Sequence, residues 1–124
     1  MNKVISVLIV EDEAYSALYL QDALSGEGYD ICGTVATGEG AVSIAASKKP
    51  DIILMDIRLA GEIDGIEAAC RIRQNNNIPI IFTTGHTDEG IFDRARKLDP
   101  VAYMIKPIDI DELSSKINSA FEPK

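Results

Sequence analysis

Short apolar runs alternate with segments of helical spacing five times along the chain. The runs cover residues 4–10, 29–36, 52–55, 78–82 and 101–105. Most are continuous rather than alternating, as strands read when both faces of a parallel sheet are covered. Between them, Ala17, Leu20 and Leu24 fall at i, i+3, i+7, and Ile91, Ala95 and Leu98 at i, i+4, i+7. Ala41, Ile44 and Ala45 fall at i, i+3, i+4, as do Ile66, Ala69 and Cys70. The last helix is marked by Leu113, Ile117, Ala120 and Phe121 at i, i+4, i+7, i+8. Asp109 followed by Glu112 starts it as a capping box, with Asp in the Ser/Thr place. Turn signals separate the elements: Gly26-Glu27-Gly28, Thr37-Gly38, Lys49-Pro50-Asp51, Asn75-Asn76-Asn77 and Asp99-Pro100. The pattern predicts an α/β fold, (βα)5, with a five-stranded doubly wound parallel sheet and helices on both faces. The common order for so small a sheet is 2-1-3-4-5, with the ligand crevice at the carboxyl ends of the first and third strands.

With 124 residues, the chain reads as one domain over 1–124. No repeat, low-complexity tract or linker divides it. Its 46% hydrophobic and 26% charged composition is that of a cored globular domain, not a disordered chain. A net charge of −8 counts against nucleic acid and anionic membranes, which are bound by clustered cations. Two cysteines, Cys32 and Cys70, need no disulfide framework and read as small core residues, which fits a reducing cytoplasm. No apolar run approaches the ~20 residues that span a bilayer. The first residues, Met1 to Val4, carry no apolar stretch of the kind that opens a secretory signal.

The predicted topology collects particular side chains at the carboxyl edge of the sheet. The first strand runs into Glu11-Asp12-Glu13 and the third into Asp56. The fourth ends in Thr83-Thr84-Gly85 and the fifth in Lys106-Pro107. Carboxylates gathered so closely repel one another and raise each other's pKa. Glu11, Asp12 and Asp56 carry three negative charges; Lys106 and one Mg2+ would balance them and leave room for a further anion. Because an unpaired carboxylate is costly to bury, Asp56 is expected to be exposed at the sheet tip, where it can act as a nucleophile in aspartyl-phosphate chemistry. Each residue also has an ordinary structural reading. Asp12 can cap the first helix, Lys106 can be a solvated loop lysine, Thr84 a strand end and Asp56 a turn residue. All four would have to coincide at one edge.

Val10-Glu11-Asp12, Met55-Asp56, Thr84-Gly85 and Lys106-Pro107, each following an apolar strand, together resemble the receiver domain of two-component response regulators, the CheY-like family. The resemblance covers essentially the whole chain. It implies that Asp56 is the phosphoacceptor and that Glu11, Asp12, Asp56 and the Arg58 carbonyl hold Mg2+ or Mn2+, with Asp12 the more direct ligand of the acidic pair. Thr84 and Lys106 would grip the phosphoryl group after transfer. Tyr103 would be the switch aromatic that turns inward with Thr84, and the bond before Pro107 would be cis. The implied donor is a phosphohistidine on a sensor histidine kinase or phosphotransfer protein. The output would be a downstream protein target, reached through the fourth helix, fifth strand and fifth helix, where Ile91, Tyr103 and Met104 are expected. A phosphorylation-dependent homodimer is a further implication, as is a phosphoacceptor that is not a turnover enzyme.

Four features depart from the family's usual pattern. The acidic pair is Glu-Asp, whose longer first arm is expected to reach the metal through water. The loop over residues 58–65 is one residue longer than usual, and Ala60 stands where proline is common. Arg58 and His86, two residues past Asp56 and Thr84, occupy positions that in the family tune aspartyl-phosphate hydrolysis; their bulk is expected to slow water's approach. Gly38-Glu39-Gly40 partly matches a dinucleotide loop, but it lacks the later glycine and reads as a turn and helix start. His86 lacks a second histidine with which to hold a metal.

Other functions fit less well. A phosphatase of the haloacid-dehalogenase type needs an acid two residues past its aspartate, where this chain has Arg58. A flavodoxin-like carrier needs a hydroxyl- and glycine-rich phosphate loop, and Glu11-Asp12-Glu13 would repel its FMN phosphate. A receiver-like module that binds without phosphorylation is the remaining alternative. The sequence stops just after Glu122-Pro123, so the domain is expected either alone or as part of a larger regulator or hybrid kinase.

Overall fold

A computed structural model describes residues 4–85 and 89–122. Strands β1 (Ser6–Val10), β2 (Asp30–Val35), β3 (Ile52–Asp56), β4 (Ile80–Thr84) and β5 (Ala102–Ile105) form one sheet in the order β2-β1-β3-β4-β5. Every pairing is parallel. Helices α1 (Ala14–Gly26), α2 (Gly38–Lys48), α3 (Gly65–Arg73), α4 (Glu89–Arg96) and α5 (Ile110–Ala120) follow the strands in turn. The predicted fold and strand order are those observed.

Successive side chains of a strand point to opposite faces, and here both faces are covered. Leu8, Val10, Ile53, Met55, Ile80 and Phe82 pack on one side with Ala41 and Ala45 of α2, Ile66, Ala69 and Ile72 of α3 and Ala95 of α4. On the other side lie Val7, Ile9, Ile52, Leu54 and Ile81, against Leu20 and Leu24 of α1 and Leu113 and Ile117 of α5. The continuous apolar runs are this two-sided burial written in one dimension.

Strand ends differ from the apolar runs in a way that matters for the site. Val4 is 60% exposed and β1 starts at Ser6. At the other end of the sheet, β3 runs on through Asp56 and β4 through Thr84. Register pairs Asp56 with Thr83 and Thr84 with Ile105. The polar residues at these ends are therefore held by the ladder and not by free loops.

Two expectations about burial are corrected. Cys70 is exposed, because α3 turns Ile66, Ala68, Ala69 and Ile72 inward and leaves it outside that stripe, while Cys32 on β2 is half-buried against the core. Phe121 lies past the last turn of α5 as its C-cap and is largely exposed. Met104, on β5, is buried with Leu113 and Ile117 of α5. The start of α5 is as expected, with Asp109 accepting from the Asp111 and Glu112 amides at 2.9 and 3.2 Å.

One glycine sets how closely α3 approaches β3. The Gly65 amide donates to the Ile57 carbonyl at 2.7 Å, and a Cβ at Gly65 would lie 2.1 Å from the Asp56 carbonyl oxygen. No side-chain rotation relieves a contact with backbone, so the helix or the Asp56 peptide would have to shift. Gly65→Ala is expected to cost about 1–3 kcal/mol, the usual cost of overpacking. Urea denaturation measures it; a variant as stable as the wild type would contradict this account of the contact.

Candidate functional site

The carboxyl edge of the sheet brings Glu11, Asp12, Asp56 and Lys106 together. Glu11 directly follows β1, and its amide donates to the Val35 carbonyl at 2.9 Å, which extends the ladder past Val10. Lys106 directly follows β5, and its amide donates to the Thr84 carbonyl at 2.8 Å. These two backbone bonds aim both side chains across the top of β1, β3 and β4. The Lys106 ammonium donates to Glu11 Oε1 at 2.6 Å and to Asp56 Oδ2 at 2.9 Å. Glu11 Oε2 accepts from the Glu13 amide at 3.1 Å.

Asp56 is only 4% exposed, and Glu11 is likewise buried. The expected exposure of Asp56 is therefore corrected. Charge-assisted hydrogen bonding to Lys106 compensates the burial that an unpaired carboxylate could not bear. Lys106 is no solvated loop lysine either, since its side chain is 28% exposed and engages both acids. Asp12 remains exposed, and α1 is capped at Glu13 without a side-chain cap bond, so Asp12 is free of the capping role.

The electrostatics follow from this geometry. Burial pushes the Asp56 carboxyl up, and its hydrogen bond and repulsion with Glu11 add to the rise; Lys106 opposes them, and the pKa settles at about 6. Burial also pushes Glu11 up, but hydrogen bonds from Lys106, Asp56 and the Glu13 amide outweigh it and hold Glu11 below the usual range. For Lys106, burial favours the neutral amine, yet the two carboxylates prevail and raise its pKa. Two buried acids thus share one ammonium, and Asp56 is the one that takes up a proton at the higher pH.

Oxygens from Glu11, Asp12 and Asp56 all lie within 4.8 Å of one another. Three carboxylates against one ammonium leave the edge short of positive charge. An all-oxygen, carboxylate-rich donor set suits a hard divalent cation such as Mg2+ or Mn2+. The residues present therefore fit the metal that the topology calls for.

The remaining sequence-predicted residues are placed as follows. Thr84 is buried at the end of β4. Arg58 lies two residues past Asp56 with its side chain exposed. Tyr103 sits on β5, half-buried with its hydroxyl inside, and its ring meets Phe92 of α4 edge-on at 5.0 Å and 80°. The Lys106–Pro107 peptide bond is cis. His86 lies outside the described residues. Gly65 was missed as part of the site's framework, although a glycine just after the acidic N-cap Asp64 was a signal for close approach at a helix start.

The family description "Response regulator receiver domain" matches residues 7–118. Among curated proteins, "Transcriptional regulatory protein PdtaR" of Mycobacterium tuberculosis is 38% identical over 114 residues, 92% of this chain and 55% of that protein. "Response regulator ArlR" of Staphylococcus saprophyticus is 37% identical over 115 residues, 91% of this chain and 50% of that protein. The chain thus spans about half the length of the curated relatives it matches. Among solved structures, the signal receiver domain of a modulated diguanylate cyclase from Desulfovibrio desulfuricans superposes with a TM-score of 0.90 at 42% identity, covering 95% of this chain and 94% of that one. The response regulator domain of Thermotoga maritima CheB superposes with a TM-score of 0.85 at 31% identity, covering 98% and 100%.

The raised Asp56 pKa makes a prediction about stability. The folded protein holds this proton up to about pH 6 and the unfolded chain only to 3.8. That contribution is present below pH 4 and is lost as pH rises through 6. In chelator, Asp56→Asn is therefore expected to be more stable than the wild type at pH 8 by about 1–3 kcal/mol, with the advantage fading toward pH 4. Urea midpoints across that range measure it. A variant less stable than the wild type at pH 8 would contradict the charge account.

Proposed function

The chain belongs to the response regulator receiver family, and from that premise we propose that it accepts a phosphoryl group on Asp56 from a partner's phosphohistidine. The observation that carries the proposal is the Asp56 carboxylate, buried at the sheet edge with the Lys106 ammonium 2.9 Å away and Glu11 and Asp12 beside it. Residues 1–124 act on this reading as one receiver unit, a phosphoacceptor and not a turnover enzyme.

In the proposed reaction an Asp56 carboxylate oxygen forms the new P–O bond while the donor's P–N bond breaks. The electron pair stays with the donor imidazole, which is left neutral once protons re-equilibrate with solvent. Glu11, Asp12, Asp56 and the Arg58 carbonyl would hold a divalent cation, which when bound supplies neutralisation of the phosphoryl oxygens. Lys106 then exchanges its bond to Asp56 for one to a phosphoryl oxygen. Thr84 reaches the same group through its hydroxyl. These two movements bias a two-state arrangement of β4, β5 and α4, in which Tyr103 is the switch aromatic. A protein partner, or a second phosphorylated copy, reads that face. The groove of about 630 Å³ between α1 and residues 106–108 starts at Glu11 and Lys106 and is flanked by exposed Tyr15 and Tyr19, which suits the approach of a donor protein.

Mass spectrometry of the intact protein tests the proposal, with acetyl phosphate as donor. The expected result is a gain of one phosphoryl group that requires both Mg2+ and Asp56 and is lost in Asp56→Asn. A gain that survives Asp56→Asn would overturn it, as would no gain from either acetyl phosphate or a phosphohistidine protein. A second expectation concerns the lifetime. If the bulk of Arg58 and His86 slows hydrolysis, Arg58→Ala and His86→Ala shorten the phosphorylated lifetime severalfold; unchanged lifetimes would contradict that role.

A further inference from the structure

Two sequence features that the proposed function leaves unused meet in the fold. One is Gly38-Glu39-Gly40, which opens α2. The other is the β3–α3 connection, residues 57–64, with its additional residue. They are registered by contacts of three kinds. Thr37 and Ala60 form an isolated parallel backbone bridge. Ile63 lies so close to Gly38 that a Cβ there would be 2.7 Å from Ile63 Cγ1. The Glu39 carboxylate accepts from the Glu62 and Ile63 amides at 3.4 and 3.3 Å.

Gly61 makes the last contact feasible. Its φ is +97°, which L side chains rarely adopt, and a Cβ on it would lie 2.8 Å from Glu39 Oε2. Successive backbone amides turned toward one carboxylate form a small anion-binding concavity. Glu39 also sits in the first turn of α2, where the helix end favours negative charge. The loop is anchored beyond this point as well. Asp64 caps α3 through the Glu67 amide at 2.8 Å and takes Arg94 of α4 at 3.2 Å. Its middle, however, is held from α2.

The geometry points to Glu39 as a positioning residue for the phosphorylation site: it clasps the β3–α3 loop at residues 61–63 and so restrains Arg58, whose carbonyl is a cation ligand on the proposed function. This inference rests on the proposed function for the identity of that cation. Glu39 touches no reacting group; it acts through the loop. Outer residues that orient metal ligands typically change metal affinity by about 10–100-fold when removed. Here one ligand of several is affected, so the low end of that range applies.

The test uses the full chain in four forms: wild type, Glu39→Gln, Gly61→Ala and the double variant. Glu39→Gln removes the charge and one acceptor but keeps the shape. Gly61→Ala keeps the charge and blocks the contact. Amide hydrogen exchange in chelator reads the loop, and calorimetric titration with Mg2+ at fixed ionic strength reads the site. Each single variant is expected to speed exchange over residues 60–64 and to weaken Mg2+ binding by about tenfold. The double variant is expected to match Gly61→Ala alone, because the contact that Glu39→Gln removes is already blocked there. Unchanged exchange in Glu39→Gln would overturn the clasp. Faster exchange with unaltered Mg2+ affinity would overturn its link to the site. Additive losses in the double variant would show two independent effects and overturn it too. Should Gly61→Ala not fold, Glu39→Gln alone decides between these outcomes. A wild type that binds no Mg2+ is a separate result: it strikes the proposed function itself and removes the cation on which this inference rests.

Discussion

A single ammonium group stands between two buried carboxylates, and the site is organised around that shortage of positive charge. Lys106 donates to Glu11 and Asp56 together, while Asp12 adds a third carboxylate at the solvent side. Burial strengthens these interactions because the local dielectric is low, and it also penalises any charge left unpaired. The outcome is asymmetric. Glu11 is held below the usual carboxylate range, while Asp56 is pushed up to about 6. A carboxylate in that condition gains from any further cation nearby. On the proposed reading, this edge, short of positive charge, is where a divalent ion and a dianionic phosphoryl group would be held.

Parallel topology makes this possible at modest cost. The three strands at the centre of the sheet end at one edge, and the polar ends of β3 and β4 are still within the ladder. Asp56 is thus positioned by backbone hydrogen bonding on a strand buried on both faces. The close approach of α3 through Gly65 restrains the Asp56 peptide from the other side. On the proposed reading this rigid positioning serves phosphoryl transfer, which needs alignment and charge neutralisation more than covalent assistance.

Much of this is legible in the sequence. Continuous apolar runs such as Ile52 to Met55 identify strands covered on both faces, and the alternation with helical spacing gives (βα)5, for which 2-1-3-4-5 is the common strand order. The order then places Glu11, Asp12, Asp56, Thr84 and Lys106 at one edge. Burial of Asp56 was not legible, because it depends on an ammonium 50 residues away in sequence. The exposure of Cys70 was missed for a different reason. Three apolar letters at i, i+3, i+4 fit more than one helix rotation, and the packing of Ala68 against α2 decides which one is used. The pairing of residues 37–39 with 60–63 leaves no periodic trace at all; a φ of +97° at Gly61 and a carboxylate at Glu39 are each unremarkable alone.

The central claim is that Asp56, and no other carboxylate at this edge, is the nucleophile. Borohydride reduction tests it most directly, since an aspartyl phosphate is an acyl phosphate that hydride converts to homoserine. The protein would be treated with acetyl phosphate and Mg2+, reduced, digested and mapped by mass. The account predicts homoserine at position 56 alone. Reduction at position 12 or at another acid, or a phosphorylated protein with no homoserine at 56, would contradict it.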